Sequence, residues 1–309
     1  MSARLMRQRR IKLGALQFTV SVDERLAQRV GGNAAVRRVL RPARNDSDTP
    51  SMSTPVSVGA ISQAAPAMSP DATGIASRMQ GIDWYHVMEL APGVLTPGRA
   101  DHRAEVAQYG IPNSMRGLRA LDVATFDGFW AFEMERRGAD VTAIDIPSWA
   151  HIDLPLRWRE GMRPEQDVPT GDGFRLAAEA LDSRVTRREL SVYDLSPDDI
   201  GQFDVVFISD LLQHLRDPQR ALERVYAVTK PGGVLLLAEE YAPKLERFAD
   251  MALMEFRSYA SYTWWMPSTA ALKMMLGVAG YETTEEVSRI GLNFDQKYSS
   301  RKIVLRAKR

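Results

Sequence analysis

Two aspartates 23 residues apart, Asp122 and Asp145, are the residues whose types and spacing point most directly to chemistry. Each stands near the end of an apolar run, Leu118 to Ala124 and Val141 to Ile146. Between them lie a tight turn, Asp122-Val123-Ala124-Thr125-Phe126-Asp127-Gly128, and a helix pattern from Phe129 to Arg137. Strand, turn, helix and strand with an acid ending each strand is an arrangement that binds an adenosine-containing cofactor. The turn sets backbone N–H groups beside the ligand. The second carboxylate is placed to accept both ribose hydroxyls. Only Gly128 remains of a glycine-rich turn, so the spacing says more than the glycines. Asp122 and Asp127 would repel a pyrophosphate, but they suit a ligand with an ammonium and a sulfonium. That favours S-adenosylmethionine over a nicotinamide dinucleotide, for which the G-x-G-x-x-G turn is also missing.

These residues need a sheet to position them. From Leu118 onward strand and helix patterns alternate, the signature of a parallel α/β sheet. Strands are expected at 118–124, 140–146, 186–193, 203–209, 233–240, 282–290 and 300–307. Helices are expected near 128–137, 173–182, 216–228 and 268–279. The fold class is α/β, a Rossmann-like, seven-stranded, mostly parallel sheet with an antiparallel last strand and helices on both faces. The Lys230-Pro231-Gly232-Gly233 run should end a helix and start a buried strand. Gly291–Asp295 lie in the segment that joins the last two strands.

Composition bounds the rest. Residues 1–46 hold 11 Lys/Arg against 3 Asp/Glu, a net of +8, which leaves −7 for residues 47–309. The folded part is therefore acidic, which argues against a nucleic-acid partner. There is no cysteine, so disulfides and thiolate metal sites are excluded. Four scattered histidines argue against zinc. No apolar run approaches the roughly 20 residues that span a bilayer, so no membrane partner is expected, and the absence of cysteine fits the reducing cytoplasm where the chain is expected. Residues 1–78 read as a disordered basic, low-complexity extension, rich in Ser, Thr, Pro, Ala and Gly from 46 onward. An Arg-rich transit peptide and a later start at Met52, Met68 or Met79 are two other readings of that stretch. The methyl-donor domain is placed at 79–309, with a lead-in segment at 79–116 and a substrate cap at 242–266, whose apolar stripe looks helical.

Residues 81–309 resemble a class I S-adenosylmethionine-dependent methyltransferase, and within that class the group related to bacterial tRNA wobble-uridine methyl- and carboxymethyltransferases. The resemblance is carried by Trp84 and His86 with Thr96-Pro97-Gly98, by LDVATFDGFWAFEMERRGA and VYDL at 192–195, by FDVVFISDLLQHLRDP at 203–218, by KPGG, and by WMPSTAALKMMLGVAGY at 265–281. It implies that Asp122, Ala124, Thr125 and Gly128, with Asp127 in the same turn, line the methionine end of the cofactor. It implies that Asp145 holds the ribose, Ile146 meets the adenine, Asp194 receives the adenine amino group beside Tyr193, and Asp210 and Leu211 flank the cofactor. Two departures matter. Ala124 stands at the group's first glycine, and Gln213 replaces the tyrosine of a Tyr-His pair in the carboxymethyl-transferring members. Without cationic and hydroxyl partners for an extra carboxylate, plain methyl transfer is the better reading.

A sulfonium is already an activated leaving group, so alignment of the acceptor does most of the work. A hydroxyl acceptor also needs a base. His214, in the loop after the fourth strand, is the first candidate, and His86 the second. Trp84, Tyr85, Trp264, Trp265 and Met266 are either an apolar lid over the acceptor or ordinary core. The long connection that carries Asp153, Arg157, Arg159 and Arg163 either covers the site or is a solvated loop. The leading expectation is methyl transfer to a hydroxyl of a small molecule or sugar-like metabolite. Methylation of the tRNA wobble uridine is the alternative with the same chemistry, and a non-catalytic partner protein that binds S-adenosylmethionine is the alternative from another class.

Overall fold

The computed structural model describes residues 6–13, 16–23, 70–161, 163, 166–257, 262–294 and 298–309. The chain falls into two units, Met1–Ala67 and Met68–Arg309. In the first unit β1 (Met6–Leu13) and β2 (Leu16–Asp23) pair antiparallel, Met6 opposite Asp23. The sequence reading gave this stretch as disordered. The signal it passed over is the strict alternation Leu16, Phe18, Val20, Val22, the period of a half-buried strand. The rest of the extension up to residue 69 lies outside the described residues.

The second unit opens with α1 (Pro70–Arg78), earlier than the expected start of order. A small hairpin of β3 (Glu89–Ala91) and β4 (Val94–Leu95) follows. Then come β5 (Arg119–Val123), α2 (Phe129–Arg136), β6 (Asp140–Asp145), α3 (Asp172–Ala180), β7 (Thr186–Glu189), β8 (Phe203–Ser209), α4 (Pro218–Val228) and β9 (Thr229–Glu240). A short pair, β10 (Met254–Phe256) and β11 (Trp265–Pro267), precedes α5 (Thr269–Ala279), β12 (Thr283–Phe294) and β13 (Tyr298–Lys308). The main sheet has seven strands in the order β12-β13-β9-β8-β5-β6-β7. Every neighbouring pair from β7 to β9 is parallel, and β13 runs antiparallel to both β9 and β12.

Alternation along the strands feeds two cores. Val205, Phe207, Leu236 and Val304 pack with Trp130, Phe132 and Met134 of α2 and Phe174 of α3. Val206, Ile208, Leu235, Leu237 and Ile303 pack with Leu222 and Val225 of α4 and Leu272 and Leu276 of α5. The helix starts are written in the sequence. Asp217 accepts from the Arg220 N–H at 3.0 Å with Pro218 at the first helical position, and Ser268 accepts from the Ala271 N–H at 3.1 Å.

The chain leaves β5 for β6 and β7 on one side, then returns to β8 on the other. That reversal makes the crevice beyond the carboxyl ends of β5 and β8 the ligand position of such a sheet.

Several elements differ from the sequence reading. β7 stops at Glu189, because the Ser191 hydroxyl accepts from the Tyr193 N–H at 3.3 Å and bends 192–194 into a helical turn. β9 starts at Thr229, and the Lys230–Gly233 run is an irregularity in its pairing with β8, Phe203 opposite Thr229 but Val205 opposite Val234. Gly291 belongs to β12, and 295–297 lie outside the described residues. The helix expected over 242–262 is absent from its described part. Pro243–Phe248 makes a 3-10 turn and Met254–Phe256 pairs with β11. Met251 and Phe256 are exposed, so the apolar stripe has no core to bury against.

Candidate functional site at the carboxyl edge of the sheet

The turn after β5 is built from backbone that usually requires glycine. Ala124 has φ +62° and Phe126 φ +51°, ahead of Gly128 at +93°. Left-handed backbone costs a non-glycine residue about 1–2 kcal/mol. Specific bonds hold it in place. The Phe126 N–H donates to Asp145 Oδ2 at 2.7 Å, the Thr125 N–H to the Ile144 carbonyl at 3.0 Å, and the Thr125 hydroxyl to Asp122 Oδ2 at 2.7 Å. The Ile146 N–H donates to Asp145 Oδ1 at 2.7 Å. Gly128 is obligatory, since a Cβ there would overlap the rings of Phe132 and Phe174. The structure thus brings the two spaced acids to one turn. Burial pushes the Asp122 carboxyl up to about 7, against the pull of the Thr125 hydroxyl. Burial also raises Asp145, against two backbone N–H groups and Arg187.

Asp127 does something the sequence did not suggest. Its carboxylate, 1% exposed, accepts the N–H groups of Tyr85 at 2.9 Å and His86 at 2.7 Å and pairs with His86 Nδ1. It therefore anchors the lead-in segment to the turn and is not available to a cofactor. His86, the second candidate base, is spent on that anchor and stacks on Phe129 with ring centres 5.1 Å apart. The Thr96-Pro97-Gly98 run explains itself here. The Thr96 hydroxyl donates to the His86 carbonyl at 2.6 Å, and a Cβ on Gly98 would overlap the His86 backbone. Trp84 is core, 3% exposed, with its indole N–H donating to the Met79 carbonyl at 3.3 Å.

The edge beyond β8 and β9 is different. Asp210 has φ +55° and pairs through Oδ2 with Lys302 Nζ of β13, a side chain with no exposure. Glu239 Oε1 accepts the N–H groups of Leu211 at 2.8 Å and Leu212 at 2.9 Å, and burial pushes its carboxyl up to about 8. His214 is half-buried and stacks flat on Tyr262 with ring centres 4.7 Å apart, and burial pulls its imidazole down to about 4 while the charge of Asp210 works the other way. Its Nδ1 is buried without a hydrogen-bond partner among the described residues. Tyr85 faces the same charges, since burial, then Asp210 and Glu240, raise its phenol well above the usual value.

One carboxylate joins three connections at this edge. Asp153, after β6, accepts the Tyr193 hydroxyl at 2.8 Å and the Arg216 N–H at 2.7 Å through Oδ2. Trp264 donates its indole N–H to the Asp153 carbonyl and its backbone N–H to the Gln213 carbonyl at 2.8 Å, while Trp265 donates to the Arg216 carbonyl at 3.2 Å. Tyr193 is thus a tie between loops, and Asp194 beside it is exposed. A cavity of about 200 Å³ against Glu246, Phe248, Ser268 and Thr269 includes none of the strand-end acids in its lining. Among the described residues no group of three or more His, Asp or Glu is placed to hold a metal, and no helix is long and apolar enough to cross a membrane.

A family profile described as "Methyltransferase domain" matches residues 99–286, more than half of the chain. The chain belongs to the methyltransferase-domain family. A ubiquinone biosynthesis O-methyltransferase of Alkalilimnicola ehrlichii is 28% identical to it over 174 residues, 55% of this chain and 60% of the relative. One from Xanthomonas campestris pv. campestris is 31% identical over 145 residues, 47% of this chain and 49% of the relative. The chain thus spans only about half to three fifths of the length of these curated relatives. Among solved structures, the N-terminal domain of EvdMO1 with SAH bound has the same fold, with a TM-score of 0.50 at 16% identity over 77% of this chain and 95% of that one. The same domain in the presence of SAH and D-fucose gives a TM-score of 0.51 at 16% identity, covering 78% and 97%.

S-adenosylmethionine is the cofactor of class I methyltransferase folds, and the donor set here fits it. The methyltransferase domain keeps the left-handed turn at Ala124 and Phe126 without the glycines. Asp145 keeps two of a carboxylate's roughly four acceptor positions beyond those taken by Phe126 and Ile146. Asp122 adds an acid at the turn that burial holds near 7, whose ionised form a bound cation would favour. Lys302 and Glu239 were passed over in the sequence. Their signal was charge at the rim of apolar strands, Glu239-Glu240 closing Leu235–Ala238 and Lys302 opening Ile303–Leu305.

Proposed function

We propose that the chain is an S-adenosylmethionine-dependent O-methyltransferase that acts on a hydroxyl of a small molecule. The observation that carries this reading is His214 Nδ1, buried at the ligand edge with no hydrogen-bond partner among the described residues, in a ring stacked on Tyr262. The similarity to relatives named as O-methyltransferases supports it. The acidic balance of residues 47–309 argues against the tRNA alternative.

Asp145 would hold the ribose, with Ile146 against the adenine and Asp122 and Thr125 at the methionine end. The bound cofactor supplies a methyl carbon activated by its sulfonium. The chain's own part is to orient the acceptor and to take its proton. His214 accepts that proton at Nδ1, the flat stack on Tyr262 holds its ring, and the Asp210 charge stabilises the imidazolium that forms.

Calorimetric titration of the folded protein with S-adenosylmethionine, with NADH as the control, tests the reading. Saturable binding that Asp145→Ala weakens at least tenfold supports it. The methylation rate should then fall with a limb near pH 4 and not near the ordinary histidine value, and His214→Gln should cost roughly 10²-fold or more. A folded protein that ignores S-adenosylmethionine overturns the reading. Methylation of bulk tRNA in preference to metabolites would move it to the nucleic-acid alternative.

A further inference from the structure

On the sheet face that carries Phe207, Ala238 and Val304, polar side chains replace apolar ones at the carboxyl edge. Ser209 lies two residues beyond Phe207, and Lys302 two residues before Val304, so each shares that face. Glu240 is the cross-strand partner of Lys302, and Ser300 stands two residues further along β13. Asp210 closes the wall through its pair with the Lys302 ammonium.

Among the described residues this wall is not satisfied from within. Ser209 Oγ, Ser300 Oγ and Asp210 Oδ1 are all buried and have no hydrogen-bond partner among the described residues. Ser300 is 1% exposed. A buried hydroxyl with no partner is costly, and a fold that only needed packing there would place alanine or valine. These oxygens lie on β8, on the turn just after it and on β13, with β9 between the two serines, and a ligand rich in hydroxyls would satisfy them. The charge balance narrows the class. One buried ammonium faces two carboxylates, Asp210 and Glu240, so an added carboxylate or phosphate would meet repulsion. An apolar acceptor would leave all three oxygens stranded.

We propose that Ser209, Ser300 and the Lys302–Asp210 pair are the acceptor-recognition wall, and that it takes a neutral ligand carrying several hydroxyls, a sugar or a polyol. This assignment rests on the methyl-transfer reading above. The serines donate to ring or hydroxyl oxygens, Asp210 Oδ1 accepts from a hydroxyl, and Lys302 fixes the carboxylate without reaching solvent.

The test uses the full chain with S-adenosylmethionine labelled in its methyl group. Glucose, methyl glucoside and myo-inositol are compared with glucuronate, glucose 6-phosphate and catechol. Methylation of a neutral polyol at least tenfold faster than its anionic counterpart is the expected result. Ser300→Ala and Ser209→Ala should each raise the acceptor KM about tenfold, one hydrogen bond's worth, with kcat changed less and cofactor affinity within twofold. Overturning results are equal or better use of the anionic compounds or catechol, an unchanged acceptor KM in both serine variants, or no methylation of any polyol by protein that binds the cofactor. Each of these leaves cofactor use standing. Absent cofactor binding would instead sink the earlier reading.

Discussion

The turn after β5 and the wall beyond β8, β9 and β13 sit on the same edge of one sheet, yet they treat polar atoms in opposite ways. At the turn nearly every carboxylate oxygen is used by the chain itself. Asp122 takes the Thr125 hydroxyl, Asp145 two backbone N–H groups, and Asp127 two more with His86. At the wall Ser209, Asp210 and Ser300, and His214 in the loop that follows β8, each keep a buried atom without a partner among the described residues. The turn is a finished scaffold that shapes a cofactor position through backbone. The wall is an unfinished hydrogen-bond set that a ligand completes. The contrast also explains how Ala124 and Phe126 are tolerated in place of glycine. Their strain is balanced by bonds made within the protein, so the shape of the turn does not depend on the cofactor.

The largest effect should come from cutting the scaffold. Asp127→Ala strands His86 and two backbone N–H groups at once and should cost about 3–5 kcal/mol of stability, read from denaturant midpoints. A loss below about 1 kcal/mol would remove the contrast between the regions.

A smaller effect should follow from Glu239, at the boundary between them. Its folded-state acidity is weakened by burial, up to about 8. A raised carboxyl pKa adds stability fully present below the ordinary value near 4.5 and lost as pH rises through about 8. Glu239→Gln removes that loss. The variant should match the parent near pH 5 and exceed it by about 1–3 kcal/mol at pH 9. A difference that does not grow with pH would mean that Glu239 is ionised in the folded state.

The smallest effect is expected at Ala124. Ala124→Gly relieves left-handed strain of about 1–2 kcal/mol and adds chain entropy cost of about 0.5–1 kcal/mol. The melting temperature should stay level or rise slightly, with cofactor affinity within about threefold. A large fall in either would show that the alanine methyl makes a contact of its own.

The sheet was legible because its signals are local. The apolar run of β8, the caps Asp217 and Ser268, and the spacing of Asp122 from Asp145 each lie within a few residues or one strand-helix-strand unit. The wall was not legible. Lys302 meets Asp210 across 92 positions of sequence, and nothing near either residue announces the other. Asp127 misled for a related reason. Its place in the turn suggested a ligand, but its partners, Tyr85 and His86, lie about 40 positions earlier. The helix expected at 242–262 failed because an apolar stripe predicts a helix only where a core can receive it.

The placement of β13 also orders events in time. It follows every other strand of the sheet in sequence, yet it lies between β9 and β12 and carries Ser300 and Lys302. During synthesis, which proceeds from the N-terminal side, β5 through β8 and the cofactor turn emerge long before the last strand can be inserted. The cofactor turn is thus synthesised well before β13, whose Val304 and Ile303 complete the two cores. The residues of the proposed acceptor wall on β13 are therefore the last part of the sheet to leave the ribosome.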